Sequence, residues 1–311
     1  MRCRRATPDD IDALVGFPED PGVMGPPRDQ VREDFDAGRM RSEWSWLLED
    51  EGRLLGRALW WGRGESVPIS LDALDVLPEF DDPRSAAIAL LRGGHADFAA
   101  FGMSRLPAYT LRLPGGWRDD EQATRAASWR REATSDVGLT SSLERRQYAW
   151  TPEHGVPLAS TRIAFRPGLD EEFVDLFRAA ARGSLDVETS RALETMDELS
   201  QATDDFEFYA GCPGERGWWR VAIDADGASV GFIVPSATPY HRNVGYLGVL
   251  PSHRGQRLVD DLLSEVTRIH ADSGAPRITA TTDMTNLPMA AAFDRAGYQV
   301  TEIRLVLEEP R

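Results

Sequence analysis

The residues best suited to chemistry lie between Tyr246 and Val259, in the sequence YLGVLPSHRGQRLV. An apolar run that ends at Pro251 predicts a strand, and the periodic segment LVDDLLSEVTRIHA predicts a helix after an Arg-Gly turn. The first N–H groups of a helix have no partner within the helix, and the helix dipole is positive at that end. This segment is therefore predicted to bind an anion through its backbone amides.

A second segment with a defined pattern, TTDMTNLPMAAAFDRAGYQV, runs from Thr281 to Val300. Pro288 in the first turn and Gly297 at the C-terminal cap predict both ends of a helix. With YLGVLPSHRGQRLV, this segment resembles the GCN5-related N-acetyltransferase (GNAT) superfamily. The whole chain resembles the tandem two-domain arrangement of mycothiol synthase-like proteins.

The resemblance implies a site for acetyl-CoA, or coenzyme A, as a co-substrate. Backbone amides at the signature positions would bind its pyrophosphate; these positions are Arg254, Gly255, Gln256, Arg257, Leu258 and Val259. The strand edge and the last helix would contact the pantetheine arm through Leu247, Gly248, Val249, Asn286, Met289 and Phe293. Arg257 stands where the family usually has Gly, and Val259 where it has Gly or Ala. The Arg257 side chain would either crowd the pyrophosphate or add a charged contact to it.

Attack of an amine on a thioester needs an N–H group for the developing oxyanion and a group that protonates the leaving thiolate. The strand that includes Leu247 to Val249 can supply the N–H group. Many family members place a Tyr acid in the last helix, where this chain has Phe293. Tyr246, Tyr298 and Asp283 are the candidate catalytic residues that remain, and Asp283 is also suited to orienting an amine.

The composition restricts the partners. With 51 acidic and 35 basic residues, the formal charge of -16 disfavours nucleic acid and favours a small, cationic substrate. The two cysteines, Cys3 and Cys212, lack ligand-spaced neighbours, so we expect no metal site and a cytoplasmic location. No apolar run is long enough for a membrane span. The absence of lysine suggests a GC-rich bacterial source, and we expect a monomer or a homodimer.

Hydrophobic patterns predict that one α/β (α+β) fold occurs twice, each time as a mixed, mostly antiparallel, twisted sheet covered by helices. Gly52 and Gly56 recur as Gly227 and Gly231, and the DVLP strand end recurs as GVLP. We therefore expect domains at 1–150 and 162–311, joined by a linker at 151–161. In the second domain, helices are predicted over EEFVDLFRAAARG and ETSRALETMDELSQ.

The N-terminal domain has EFDDPRS where the C-terminal domain has SHRGQRL. Its carboxylates would repel a pyrophosphate and Pro83 removes an amide, so we expect this domain not to bind coenzyme A. The sequence thus predicts an acetyl-CoA-dependent N-acyltransferase with its chemistry in the C-terminal domain. Two alternatives remain open: a non-catalytic acyl-CoA-binding module, and an acyltransferase that uses a carrier-protein thioester.

Overall fold

The computed structural model describes residues 1–64 and 67–310, in two compact units. The first unit combines Met1–Arg145 with Glu302–Arg311, and the second comprises Arg146–Thr301. The elements up to the division are β1 (Arg2–Arg5), α1 (Ile11–Val15), α2 (Arg28–Asp36), β2 (Trp46–Asp50), β3 (Arg53–Trp61), β4 (Ser70–Val76), α3 (Pro83–Ala100), β5 (Ala108–Leu113), α4 (Glu121–Ser135) and β6 (Ser141–Trp150), which crosses it. The elements that follow are β7 (Ala164–Arg166), α5 (Asp170–Ala181), α6 (Val187–Ala192), α7 (Glu198–Ala210), β8 (Arg220–Ile223), β9 (Ser229–Ala237), β10 (Arg242–Val249), α8 (Leu258–Asp272), β11 (Ile278–Asp283), α9 (Leu287–Arg295) and β12 (Gln299–Glu308).

Both units contain the same strand arrangement. The order is β1-β2-β3-β4-β5-β12 in the first unit and β6-β11-β10-β9-β8-β7 in the second. Within the described residues, the pairs β4/β5 and β10/β11 are parallel, and the other pairs with a defined register are antiparallel. The predicted fold class, a mixed and mostly antiparallel sheet with helices, is confirmed.

The division of the chain differs from the ranges 1–150, 151–161 and 162–311 expected from the sequence. Residues 303–307 of β12 pair with β5 in antiparallel register, so the C-terminal strand completes the sheet of the first unit. The expected linker lies within the second unit and includes a 3-10 turn at Pro152–His154. The pattern of a strand shows which of its faces are buried but does not identify the strand with which it pairs.

The helical region after α5 also differs from the prediction. The helix expected over ETSRALETMDELSQ is interrupted after α6, and α7 begins at Glu198 because the Asp197 carboxylate accepts hydrogen bonds from two N–H groups of its first turn. The predicted helix stops at Gln201, whereas α7 continues to Ala210. The recurrence of apolar residues at helical spacing indicates this extension; they are Leu199, Ala202, Phe206 and Tyr209.

The sheet of the second unit is buried on both faces. Successive residues of β9 point to opposite sides, with Phe232 in the cluster under α5 and α7, and Ile233 in the cluster under α8 and α9. Phe177 of α5 packs edge-on against Phe232, with 4.9 Å between the ring centroids. The two helical layers therefore hold β10, the strand next to β9, between them.

Candidate active site

A gap opens between β10 and β11. The two parallel strands are in register only at Arg242↔Ile278 and Asn243↔Thr279, whereas β10 stays paired with β9 as far as Val249. We call the space between residues 246–249 of β10 and 280–283 of β11 the fork. A strand edge that leaves its neighbour in this way is available to pair with an extended ligand.

A bulge at Gly245 turns β10 away from β11. The register with β9 shifts between Asn243 and Tyr246, and Gly245 has a φ of 69°. A Cβ atom at this position would lie 2.0 Å from the carbonyl oxygen of Val234, so no other residue fits without a backbone shift. The sequence therefore builds the fork at this glycine.

Asn243 holds the bulge from both sides. Its Oδ1 accepts a hydrogen bond from Gly245 N at 2.8 Å, and its Nδ2 donates to Thr279 Oγ1 of β11 at 3.0 Å. The buried His270 of α8 lies 2.9 Å from the Asn243 carbonyl oxygen. Because burial lowers the pKa of His270 to about 4, its ring is neutral at pH 7 and Nε2 carries the proton donated to this carbonyl.

The end of β10 leads into a second feature, an exposed loop at residues 254–257 followed by the start of α8 at Leu258. We call residues 254–259 the phosphate loop. Within the described part of the chain, the N–H groups of residues 255–259 have no hydrogen-bond partner. Gly255 and Arg257 adopt positive φ angles of 78° and 57°, which turn the backbone at this point. The loop thus presents unpartnered amides at a helix N-terminus, an arrangement suited to an anion, and its binding of a pyrophosphate stays a prediction.

The two signature positions that depart from the family pattern behave differently. Arg257 is exposed and in the left-handed region, which costs a non-glycine residue roughly 1 kcal/mol and gives a physical reason for glycine at this position. Val259 is partly buried and packs against the core under α8 and α9, so its side chain is engaged there. The neighbouring Leu258 is a buried member of the same core.

The side chain of Arg254 is not directed at an anion but caps the C-terminus of α5. Its guanidinium donates to the carbonyl oxygens of Ala180 and Arg182, both at 2.7 Å, and of Gly183 at 3.0 Å. These carbonyls are at the negative end of the helix dipole. Arg254 therefore connects the phosphate loop to α5. Its backbone N–H, which the resemblance assigned to the pyrophosphate, donates to the Pro251 carbonyl oxygen at 3.4 Å, so the unpartnered amides begin at Gly255.

Arg162 is a functional candidate that sequence reasoning missed. Its Nη1 donates to the Gln256 carbonyl at 3.0 Å and its Nη2 to the Arg257 carbonyl at 3.2 Å, and it pairs with Asp261 of α8. By binding these two carbonyls, Arg162 leaves the N–H groups of the loop free to face outward. It precedes Gln256 by 94 residues, and no motif of the sequence connects the two positions.

Tyr246 lies at the edge of the fork. Its ring stacks on Phe232, with 5.5 Å between centroids, and contacts Phe177 and Tyr209. Burial, together with the charges of Asp205 and Asp186, raises the pKa of the Tyr246 hydroxyl, so this group keeps its proton at neutral pH. Of the three candidate catalytic residues, Tyr246 is the one that belongs to β10, the strand that borders the fork, and its role as an acid stays a prediction.

Tyr298 does not fit its predicted role. It is 1% exposed, and its hydroxyl lies 2.8 Å from Thr267 Oγ1 of α8. Phe293 is buried beside it and stacks on Tyr148 at 4.6 Å. Both aromatic side chains belong to the core under α8 and α9, and their burial among apolar side chains stabilises this core. Both side chains therefore pack in the core, and neither provides an acid that a ligand could reach.

Asp283 connects two elements at the end of β11. It is 2% exposed, and its Oδ2 accepts the N–H of Val187 at 2.7 Å, which fixes the start of α6. Asn286 acts in a similar way on α9, because its Oδ1 accepts the N–H of Met289 at 3.3 Å. The side chain of Met289 packs partly buried against the core.

The predicted strand edge, Leu247 to Val249, borders the fork along β10. Leu247 and Val249 pack partly buried on the core under α8 and α9. Gly248 is on the opposite face, where a Cβ atom would lie 2.7 Å from the Phe232 ring and 3.0 Å from the Ala180 Cβ. The missing side chain allows α5 to approach the strand closely, which is a structural role besides any contact with a ligand.

The first unit has the corresponding parallel pair, but side chains occupy the region beside it. The registered pairs of β4/β5 end at Leu71↔Tyr109. The fully buried Arg130 donates to the Leu74 carbonyl of β4 at 3.0 Å and to Asp20 at 2.8 Å, and its Nη2 lies 3.4 Å from Asp75. A protein-internal ion network thus binds the backbone of β4, whereas the corresponding stretch of β10 borders the fork.

The start of α3, which follows β4, also differs from the phosphate loop. The Asp82 side chain accepts the N–H of Ser85, and Pro83 has no N–H group to offer. A carboxylate therefore occupies the position where an anion would bind.

Two further properties concern the described residues taken together. Within residues 1–64 and 67–310, no three His, Cys, Asp or Glu side chains lie close enough together to hold a metal ion. Among these residues, no helix combines the length and the apolar character needed to cross a membrane.

Comparison with known proteins agrees with this geometry. Residues 185–298 match the acetyltransferase (GNAT) family. The fold is similar to that of a GCN5-related N-acetyltransferase from Sphaerobacter thermophilus, with 18% identity, a TM-score of 0.57, and coverage of 99% of this chain and 95% of that one. A comparison with curated proteins gives no match.

Two other solved structures have a related fold. One is a GCN5-related N-acetyltransferase from Kribbella flavida, with 16% identity and a TM-score of 0.50, covering 83% of this chain and 89% of that one. The other is the glucosamine N-acetyltransferase region of a fungal multi-domain GH3 β-N-acetylglucosaminidase, with 13% identity and a TM-score of 0.56, covering 98% of this chain and 38% of that one.

The fork and the phosphate loop both lie within the range that matches the acetyltransferase (GNAT) family. The match at residues 185–298 confirms the resemblance to the GNAT superfamily and the enzyme class, N-acetyltransferase, predicted from the sequence. Members of this family generally use acetyl-CoA as a co-substrate.

Proposed function

We propose that the second unit transfers an acyl group, most simply acetyl, from acyl-CoA to the amine of a small, cationic metabolite. One observation carries the proposal: the same strand, β10, borders the fork and ends at a loop whose amides are unpartnered. In acyl-CoA, an extended pantetheine arm spans the distance between the pyrophosphate and the thioester. A strand edge that continues into an anion-binding loop is complementary to such a ligand.

The residues then have distinct roles. The amides of residues 255–259 would bind the pyrophosphate, and the edge at 247–249 would pair with the pantetheine amides. Arg162 and Arg254 would hold the loop in shape through their bonds to backbone carbonyls. Any side-chain contribution to phosphate binding would come from the exposed Arg257.

The chemical step in this proposal is direct attack of the neutral amine on the thioester carbonyl carbon. A C–N bond forms and the C–S bond breaks, and the oxyanion that exists between these two events accepts a hydrogen bond from an N–H group of β10. The leaving thiolate takes a proton from the Tyr246 hydroxyl, and the attacking nitrogen gives its surplus proton back to the Tyr246 oxygen, so that the products are an amide and a thiol. Thiols have a pKa of about 8.5, so the thiolate leaves readily and modest assistance from an acid suffices.

The first unit, in this proposal, does not bind coenzyme A. Arg130 binds the Leu74 carbonyl, and Asp82 caps α3, so neither a free strand edge nor a free helix start is offered there. An acidic loop at that position would also repel a pyrophosphate. The cytoplasmic location expected from the cysteine content stays a prediction.

The direct test is release of thiol from acetyl-CoA by the full chain with a panel of amines: spermidine, tyramine, glucosamine and the α-amine of arginine methyl ester. We expect amine-dependent thiol release with at least one of them, and an acetylated product one acetyl mass unit heavier. The control is the same mixture without amine, which reports hydrolysis. Binding of coenzyme A without turnover of acetyl-CoA or of longer acyl-CoA donors would instead favour a non-catalytic acyl-CoA-binding module.

A further inference from the structure

Thr281 of β11 is exposed although its strand lies inside the sheet. β11 has β10 on one side and β6 on the other, and the other five of its six residues are buried. Thr281 is also one of the β11 residues that border the fork. A side chain of a central strand is exposed only where no helix or loop covers that face of the sheet. The sheet is therefore open to solvent above Thr281.

The Thr281 side chain points to the side of the sheet on which α5, α6 and α7 lie. Successive residues of a strand point to opposite faces, and Ala280 belongs to the core under α8 and α9. Asp283, two residues after Thr281, accepts the N–H of Val187 at the start of α6. The ring of Tyr246, across the fork on β10, packs on this side too, against the cluster under α5 and α7. Thr281 and Tyr246 therefore flank the fork on the same face.

A buried amide lies beside Thr281 on the neighbouring strand. Gln147 of β6 is 6% exposed, and its Oε1 accepts a hydrogen bond from Thr281 Oγ1 at 2.5 Å. The next residue, Tyr148, stacks on Phe293 in the core under α8 and α9, so the Gln147 side chain points to the opposite face, as Thr281 does. Within the described part of the chain, Gln147 Nε2 donates to no protein atom, and this nitrogen is not enclosed by protein. A largely buried amide with free N–H groups favours a partner outside the chain.

The pair of Gln147 and Thr281 presents a free donor beside a free acceptor. The N–H groups on Gln147 Nε2 are free to donate, and the hydroxyl oxygen of Thr281 keeps lone pairs after its hydrogen is used. Both side chains are uncharged. A ligand group that matches them is therefore neutral and combines an acceptor with a donor, as a hydroxyl or a carboxamide does.

We propose that Gln147 and Thr281 determine acceptor specificity by binding a neutral hydroxyl or carboxamide group of the acyl acceptor, close to its amine. This inference rests on the function proposed for the second unit and deepens it, because it assigns the acceptor a second functional group besides the amine. An alkyl group at this position would displace water from Gln147 Nε2 without replacing its hydrogen bond, which disfavours an acceptor that lacks the polar group.

The position of the pair fits an acceptor that attacks in the fork. The pantetheine arm is proposed to pair with residues 247–249 on the β10 border, and Thr281 belongs to the β11 border. A group bound by Thr281 therefore lies at the fork itself, on the open face of the sheet. The amine of the same molecule then has access to the thioester from that face.

The test compares amines that share a skeleton and differ in the polar group. 2-Aminocyclohexanol is compared with cyclohexylamine, and β-alaninamide with 3-methylbutylamine. Each amine is titrated by calorimetry into the full chain saturated with coenzyme A, so the result does not depend on turnover. We expect the wild type to bind at least one polar amine roughly tenfold more tightly than its apolar counterpart. The comparison that shows this preference identifies the group as a hydroxyl or a carboxamide.

Substitutions at the two positions assign the preference to the pair. Gln147→Leu and Thr281→Val remove the polar atoms with little change in size, and each should reduce the preference to less than about twofold. Thr281→Ser keeps the hydroxyl and should keep the preference. Gln299→Leu makes the same change as Gln147→Leu at an exposed position of β12 and should also keep it. Because Thr281 is exposed, Thr281→Val removes little packing and tests the site even if Gln147→Leu does not fold.

A purely structural role of the pair gives a different result. If the bond between Gln147 and Thr281 only holds β6 against β11, the variants would unfold at a lower temperature but keep the wild-type ratio of polar to apolar amine binding. That ratio in both variants, equal binding of polar and apolar amines by the wild type, or binding of none of the four amines would overturn the inference.

Thiol release from acetyl-CoA with spermidine, tyramine and glucosamine separates this failure from a failure of the proposed function. If the chain turns over one of these amines while the preference is absent, the acyltransferase function stands and the site at Gln147 and Thr281 is wrong. If the wild type neither binds coenzyme A nor releases thiol with any amine, the proposed function fails and this inference fails with it.

Discussion

Gly245→Ala is expected to unfold the fork and to abolish coenzyme A binding. The added Cβ atom would lie 2.0 Å from the Val234 carbonyl oxygen, and the residue would have to keep a φ of 69°. Left-handed strain and the steric clash together are expected to cost roughly 3–5 kcal/mol in free energy of unfolding. Urea denaturation measures the loss, and calorimetry with coenzyme A measures its effect on the site.

The matched control for this variant is Gly227→Ala in the turn between β8 and β9. Gly227 has a φ of 82°, but a Cβ atom there meets nothing within 4 Å. It therefore isolates the backbone strain, about 1 kcal/mol, from the clash. If Gly245→Ala were as stable as Gly227→Ala and bound coenzyme A normally, the bulge would not be what holds the fork open.

The second large effect is expected in the first unit. Arg130→Met should lower the free energy of unfolding by about 3–5 kcal/mol, because it removes the fully buried cation of an ion network. Asp75 would keep the bond from Arg57 Nε at 2.8 Å, but Asp20 and the Leu74 carbonyl would lose the donors that Arg130 provides. The midpoint of urea denaturation, followed by far-UV circular dichroism, measures the change.

Arg131→Met provides the comparison, since Arg131 is the exposed neighbour of Arg130 on α4. It makes the same chemical change at a position where a surface substitution should cost less than about 0.5 kcal/mol. Equal stability of the two variants would mean that the ion network beside β4 does not hold the first unit together.

Features encoded in short segments could be predicted from the sequence. The phosphate loop is recognisable because it depends on a strand end, an Arg-Gly turn and a helix start within 14 residues. The hairpin with its turn at Gly227 and the helix α9 between Pro288 and Gly297 follow from equally local signals. These elements are where the chain was expected to form them.

Contacts between distant segments could not be predicted. Arg162 contacts the phosphate loop although Gln256 lies 94 residues later in the chain, and Arg254 contacts the C-terminal end of α5. The sequence around neither arginine contains a pattern that identifies these partners. The pairing of residues 303–307 with β5 could not be predicted for the same reason, since the hydrophobic pattern of a strand is compatible with many neighbouring strands. Tyr298 was expected near the chemistry, but the turn after α9 directs it into the core towards Thr267.

The most direct test of the account is the stoichiometry of coenzyme A binding by the full chain. Calorimetry should give one equivalent per chain, because only the second unit offers an unpartnered strand edge and helix start within the described residues. Gln256→Glu places a negative charge in the exposed phosphate loop and should weaken binding roughly tenfold. Gln299→Glu, the same change at an exposed position in β12, should leave affinity unchanged. Two equivalents, no binding, or equal affinity of Gln256→Glu and the wild type would contradict the assignment of the site.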